Sequence, residues 1–163
     1  GCIAVSLAAL APRVRVWATE ISRPAIRLAR ENAKRHGVTG RVRFSQGDLL
    51  APLLKRRAAG TLLDLVVANP PYVPAGDVAA LPPEVRQEPR RALDGGVDGL
   101  DAVRRLADQA MELLKPGGAI LLEIGSGQGA AARTVLERRG YRDVTVRRDL
   151  AGHDRIVRGV RGG

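Results

Sequence analysis

The sequence predicts an α/β fold: a mostly parallel sheet with helices on both faces, closed by an antiparallel pair of strands at the C-terminal end. Three observations predict it. Strand and helix signals alternate along all 163 residues, with no repeat and no low-complexity segment. Hydrophobic residues make up 45% of the chain but aromatics only 2%, so a one-domain core must be built from Ala, Val, Leu and Ile. Third, the stretch VVANPPYVP, residues 66–74, runs like a buried strand and then halts at an asparagine, two prolines and a tyrosine. Prolines end a strand because they cannot donate to its ladder, and each drives the residue before it towards extended geometry.

Each element has its own signature. CIAVSLAALAP has helical spacing and ends at Pro12. RVRVWATE alternates Arg13 and Arg15 with Val14 and Val16, as a strand does, and stops at Glu20. Ser22 is the expected N-cap of a helix with Pro24 in its first turn and Gly37 at its end. RVRFSQGD is a short strand ending at Asp48. TLLDLVVANP, residues 61–70, is the next, and its apolar continuity predicts burial on both faces. From Pro70 to about Gly99 no periodic element is expected, and a loop of that length in a compact domain is usually functional or disordered. GLDAVRRLADQAMELLKPGG reads as a helix with apolar positions Val103, Leu106, Ala110, Leu113 and Leu114, stopped by Lys115-Pro116-Gly117-Gly118. AILLEIG is a strand, QGAAARTVLERRG a helix, and DVTVRRD with DRIVRGV the closing antiparallel pair.

The net charge of +10 is almost all arginine, scattered from Arg13 to Arg161. Such scatter suits a solvated surface, or an acidic partner such as a ribonucleoprotein, a nucleic acid or a large anionic cofactor. No apolar run reaches the ~18 residues of a membrane span, and no basic-then-apolar signal segment opens the chain. Cytoplasm is the expected location. The single cysteine, Cys2, excludes an internal disulfide and a cysteine metal cluster. His36 and His153 stand apart as surface residues, and neither a Ser-His-Asp pattern nor metal-ligand spacing is present.

Sheets of repeated βα units bind ligands beyond the carboxyl ends of their strands. That rule gathers Glu20, Asp48, Asn69 and Glu123 on one rim as a binding cleft. A carboxylate at Glu20 suits both hydroxyls of a ribose, or stands solvated ahead of the next helix. Asp48 meets an adenine amine or caps its turn. The Asn69 side-chain carbonyl and the Pro70 backbone carbonyl form two adjacent acceptors, suited to one –NH2 group. The prolines fix that geometry in advance, and Tyr72 packs over a planar amide or base. The plainer alternative is a rigid turn with Asn69 bonding its own backbone. A cleft of acceptors and carboxylates with no nucleophile points to group transfer that works mainly by positioning.

GCIAVSLA, ATEIS, GDLL, VVANPPYVP, EPRRALDGGVDGL, LLKPGGAILLEIGSGQ and RRDLAGHDRIV together resemble, in that order, the catalytic domain of the release-factor glutamine N5-methyltransferases. The NPPY element alone is shared with nucleic-acid amino-methyltransferases. Residues Glu88 to Leu100 and the RDLAGHDR tail carry the glutamine-modifying resemblance. It implies a class I, Rossmann-like fold using S-adenosyl-L-methionine. Glu20 would hold the ribose, Asp48 and Leu49 would border the adenine, and Gly1 would be the last glycine of the family's glycine-rich motif. Asn69 would bind the target amide and lie near the methyl donor, with Pro70, Pro71 and Tyr72 completing the clamp and Asn69, Pro70 and Tyr72 catalytic. The implied partner is a peptide chain release factor, methylated on the glutamine of its Gly-Gly-Gln motif. Residues 1–163 are then expected to be a partial catalytic domain without its first strand, most of the glycine-rich loop and the N-terminal helical domain. The alternatives are a methyltransferase for exocyclic amines of RNA or DNA, or an inactive remnant.

Overall fold

Helix α1 (Cys2–Leu10) opens the first of two units, Gly1–Ala59 and Gly60–Gly163, into which the chain divides. The structure is a computed structural model and describes residues 1–57, 60 and 62–163. In the first unit α1 is followed by β1 (Val16–Glu20), α2 (Arg23–Arg35), β2 (Val42–Gln46) and α3 (Ala51–Arg57). β1 and β2 pair in parallel, Val16 opposite Val42 and Glu20 opposite Gln46. Ala4, Val5, Ala8, Ala33, Val38 and Val42 form the core, with Val16, Ala18 and Phe44 against it. Small side chains let the layers approach closely, and a Cβ on Gly1 would overlap that of Ala29 in α2. The Ser22 hydroxyl accepts the Ala25 N–H at 3.4 Å, as an N-cap should, and Gly37 leaves α2 at φ +65°. Arg41 donates to the Ala8 carbonyl and, at 3.3 Å, to that of Ala11, which answers part of the unpaired end of α1.

The second unit runs β3 (Leu63–Ala68), a 3-10 turn at Val78–Ala80, the one-turn helices α4 (Pro83–Arg86) and α5 (Arg90–Leu93), α6 (Asp101–Leu113), β4 (Leu114–Glu123), α7 (Gly129–Arg138), β5 (Tyr141–Arg148) and β6 (Asp154–Arg161). Its sheet has the order β3-β4-β6-β5, with β3–β4 parallel and the other two pairings antiparallel. The closing antiparallel pair is therefore present as expected. Val103, Leu106, Ala110, Leu113 and Leu114 are all 2% exposed or less. The Tyr141 hydroxyl donates to the Ala107 carbonyl of α6 at 2.9 Å, and burial, with Asp108 nearby, pushes its phenol well above the usual tyrosine range.

Four expectations need correction. The strand before Glu20 begins at Val16, not Arg13, because Val14 is exposed and precedes the pairing with β2. Leu114 opens β4 rather than closing the helix; the Lys115–Gly118 stop lies inside the strand span. Residues 70–99 are not without helices, since three single turns interrupt them. β3 is not buried on both faces: Val66 is covered, while Leu65 is 45% and Val67 36% exposed. Register explains this, because Val66 lies beside Ile120 and Ala68 beside Leu122, on the face that carries the core. Leu65 and Val67 lie beside Ala119 and Leu121 on the other. Thr61, where that strand was expected to begin, lies outside the described residues. Helix α3 had no counterpart in the sequence reading.

Candidate active site

β3 delivers Asn69 directly after its last residue, and β4 ends at Glu123 alongside, since Ala68 is paired in parallel with Leu122. Both residues thus stand at the carboxyl end of the same strand pair. Pro70 is buried and Asn69 exposed. Asn69, Pro70 and Tyr72 line a cavity of about 410 Å³ together with Leu81, Val85, Glu88 and Leu93. An apolar wall with a few convergent polar groups is the common form of a small-group binding site.

The segment after α5 straps this turn down. The Val73 N–H donates to the Leu93 carbonyl at 2.9 Å, Gly95 N–H to Val73 at 2.8 Å, and Ala75 N–H to Gly96 at 2.8 Å. Glycine is required where the strap crosses: at φ +75°, a Cβ on Gly99 would overlap the Tyr72 carbonyl oxygen, and one on Gly95 would lie 2.8 Å from that of Pro71. Asp94 accepts the Gly96 N–H at 3.0 Å and the Arg90 guanidinium at 3.1 Å; these hold its carboxyl below the ordinary range. Asp98 is lowered chiefly by Arg104, which donates to it at 3.0 Å and also reaches Asp101 at 2.9 Å. Across the strap lies Gln128, a residue the sequence reading did not single out. A glutamine just before a helix carries no local signal of such a role.

The tail motif forms the β5–β6 connection. Asp149 Oδ1 accepts the N–H groups of Ala151 and His153 at 2.9 and 3.0 Å, and Oδ2 accepts Arg155 at 3.2 and 3.1 Å. The His153 N–H first, then Arg155 and the Ala151 N–H, hold the Asp149 carboxyl low. Arg155 lies within the field of Tyr72 and Glu123. His36 and His153 are exposed, as expected.

In the first unit Glu20 ends β1, and its Oε1 accepts the Ser22 N–H at 2.8 Å; Oε2 has no partner among the described residues. The Gly47 N–H donates to the Glu20 carbonyl at 3.0 Å, which brings Asp48 beside that strand end. Asp48 lines a cavity of about 370 Å³ with Gln46, Pro52 and Lys55, and Leu49 follows at φ +46°. An oriented carboxylate with an uncommitted oxygen fits a vicinal diol such as that of S-adenosylmethionine. Gly1 owes its lack of a side chain to Ala29. Glu20 and Asp48 are thus together in one unit, and Asn69, Tyr72 and Glu123 in the other. Among the described residues no group of three or more His, Cys, Asp and Glu is placed to hold a metal, and no helix is long and apolar enough to cross a membrane.

Comparison with known proteins follows the same lines. A release factor glutamine methyltransferase of Moorella thermoacetica is 52% identical over 156 residues, covering 95% of this chain and 53% of its own. A ribosomal protein uL3 glutamine methyltransferase of Bradyrhizobium diazoefficiens is 48% identical over 128 residues, 78% of this chain and 39% of its own. The chain therefore spans about half the length, or less, of these relatives. A methyltransferase of Pyrococcus furiosus superposes with a TM-score of 0.69 at 17% identity, over 99% of this chain and 70% of that one, and shows the fold. The motif resemblance to the release-factor glutamine methyltransferases is borne out by the names of the similar sequences. With the class I methyltransferase fold in place and residues 1–88 matching its family profile, the chain belongs to the methyltransferase small domain family.

Proposed function

We propose that this chain is part of the catalytic domain of a cytoplasmic, S-adenosylmethionine-dependent enzyme that methylates the side-chain amide nitrogen of a glutamine, that of the Gly-Gly-Gln motif of peptide chain release factors. The carrying observation is the Asn69–Tyr72 turn at the end of β3, lining a cavity and held under a glycine strap. The 52% identity to a release factor glutamine methyltransferase supports the choice of substrate.

An amide nitrogen is a poor nucleophile because its lone pair is delocalised into the carbonyl. Asn69 Oδ1 and the Pro70 carbonyl accept its two hydrogens, orient the nitrogen and stabilise the positive charge that grows on it. The proton leaves to water afterwards, so no dedicated base is needed. Tyr72 packs against the amide plane, and Pro71 keeps the turn stiff. S-adenosylmethionine, when bound, supplies an electrophilic sulfonium methyl group. Glu20 would hold its ribose, Asp48 and Leu49 would border its adenine, and Gly1, the N-cap of α1, would approach it.

The test is methylation of a release factor or a Gly-Gly-Gln peptide with labelled donor by the full chain. Asn69→Ala is expected to lower kcat by about 10²-fold or more while leaving donor affinity within about twofold. Near-normal turnover in that variant removes the clamp. A second reading, methylation of an exocyclic amine in RNA or DNA, uses the same acceptors and is favoured by the +10 charge and exposed Arg142, Arg147 and Arg148 on β5. Parallel reactions with release factor, ribosomal protein uL3 and RNA separate these substrates. A donor titration on the 163 residues alone tests whether they form an inactive remnant.

A further inference from the structure

We infer that Gln128 is a positioning residue for this reaction: its side-chain amide anchors the Tyr72 carbonyl and so sets the Asn69–Tyr72 turn. The inference rests on reading that turn as the substrate clamp. Gln128 Nε2 donates to the Tyr72 carbonyl at 2.9 Å and to the Asp98 carbonyl at 3.2 Å, and Oε1 accepts the Gly125 N–H at 2.8 Å. Both amide hydrogens and the oxygen are thereby engaged. The partners also fix which end is which. Reversing the amide would set its oxygen against two carbonyl oxygens and its NH2 against an N–H.

The three partners come from three separate stretches: the turn after β3, the strap, and the segment that follows β4. The amide sits in a notch between two glycines. A Cβ on Gly99 would overlap Nε2, and one on Gly125 would lie 3.0 Å from Oε1 and 3.3 Å from the Tyr72 ring. Within the turn, Pro70 and Pro71 have their φ angles locked by their rings. The freedom left lies in the peptide planes that follow, and the Tyr72 carbonyl belongs to the next of them. The Leu93 carbonyl holds the N–H end of that plane, at Val73, and Gln128 holds its carbonyl end, so together they fix the downstream end of the turn while β3 holds the upstream end. Gln128 touches no substrate in this scheme. It acts through Tyr72.

The discriminating variant is Gln128→Glu in the full chain. At pH 8 its carboxylate has no hydrogen to offer the Tyr72 and Asp98 carbonyls, and protonation restores one O–H donor. With labelled S-adenosylmethionine and a Gly-Gly-Gln peptide, kcat is expected to fall about 10–100-fold, as a displacement of ~1 Å would cause, with donor affinity kept within twofold. Two carbonyl oxygens facing that carboxylate disfavour its charged form and raise its pKa towards neutrality, so the ratio of variant to wild-type kcat should rise from pH 8 to pH 6. A kcat within twofold of wild type overturns the inference, as does a pH-independent loss or an equal loss of donor affinity. If that variant does not fold, Gln128→Asn keeps the donors but withdraws them by one methylene. The same selective kcat loss is expected, and its absence is equally decisive. Asn69→Ala is run alongside. Activity retained there discards the clamp itself; activity lost there but kept in the Gln128 variants discards only the anchor.

Discussion

At Glu20 one backbone donor, the Ser22 N–H at 2.8 Å, holds a single carboxylate oxygen and turns the side chain at the end of β1. Charge-assisted hydrogen bonds are worth about 1.5–3 kcal/mol each. Glu20→Ala is therefore expected to weaken S-adenosylmethionine binding by about tenfold or more, with a smaller effect on kcat. Calorimetry on the full chain checks this, and unchanged affinity would show the ribose role to be misassigned. The turn at Asn69–Tyr72 was legible because two prolines after an apolar run mark a stiff turn in any sequence. The role of Gln128 was not, because its partners at 72, 98 and 125 come together only through the parallel pairing of β3 with β4 and the hydrogen bonds of the strap to Val73 and Ala75. Asp149 was legible only within a motif; that it caps a connection and holds Arg155 is a matter of backbone donors that no sequence pattern displays.

Among the elements, the strap from Asp94 to Asp101 takes its order from hydrogen bonds and from close packing at Gly95, Gly99 and Leu100 rather than from a regular element. This is why its lack of period hid it. Its carboxylates at 94 and 98, and Asp149 in the β5–β6 connection, titrate below the ordinary aspartate value of about 3.9. A carboxyl lowered on folding adds stability that is present above that unfolded value and disappears as pH falls through the folded one. Carboxyl carbon shifts followed by NMR should show these three midpoints below ~3.9, with denaturant resistance declining between about pH 4 and pH 2. Midpoints at the ordinary value would contradict the ion pairs and caps described. The long helices were legible because α6 places its apolar residues at helical spacing; α3 was missed because seven residues, about two turns, anchored at Leu53 leave no period to detect.

For the whole molecule, alternation of strand and helix was enough to read the fold class, and the final arginine-rich stretches were enough to read the antiparallel ending. Which face of the second sheet stays uncovered was not legible, since Leu65 and Val67 look in sequence like any buried strand. β3 is the end strand of that sheet, and Leu65 and Val67 are 45% and 36% exposed. Open apolar strand edges promote pairing between chains, and lysine blocks it. The 163-residue chain is thus expected to self-associate at micromolar concentration, and Val67→Lys to shift its sedimentation towards monomer. Identical sedimentation of the two would count against this. The bridge between Val73 and Asp94 has a different reach. It closes the intervening excursion at its neck, so residues 76–92, which supply Leu81, Val85, Glu88 and Ala92 to the cavity, can change in length and chemistry without bending the prolines beneath.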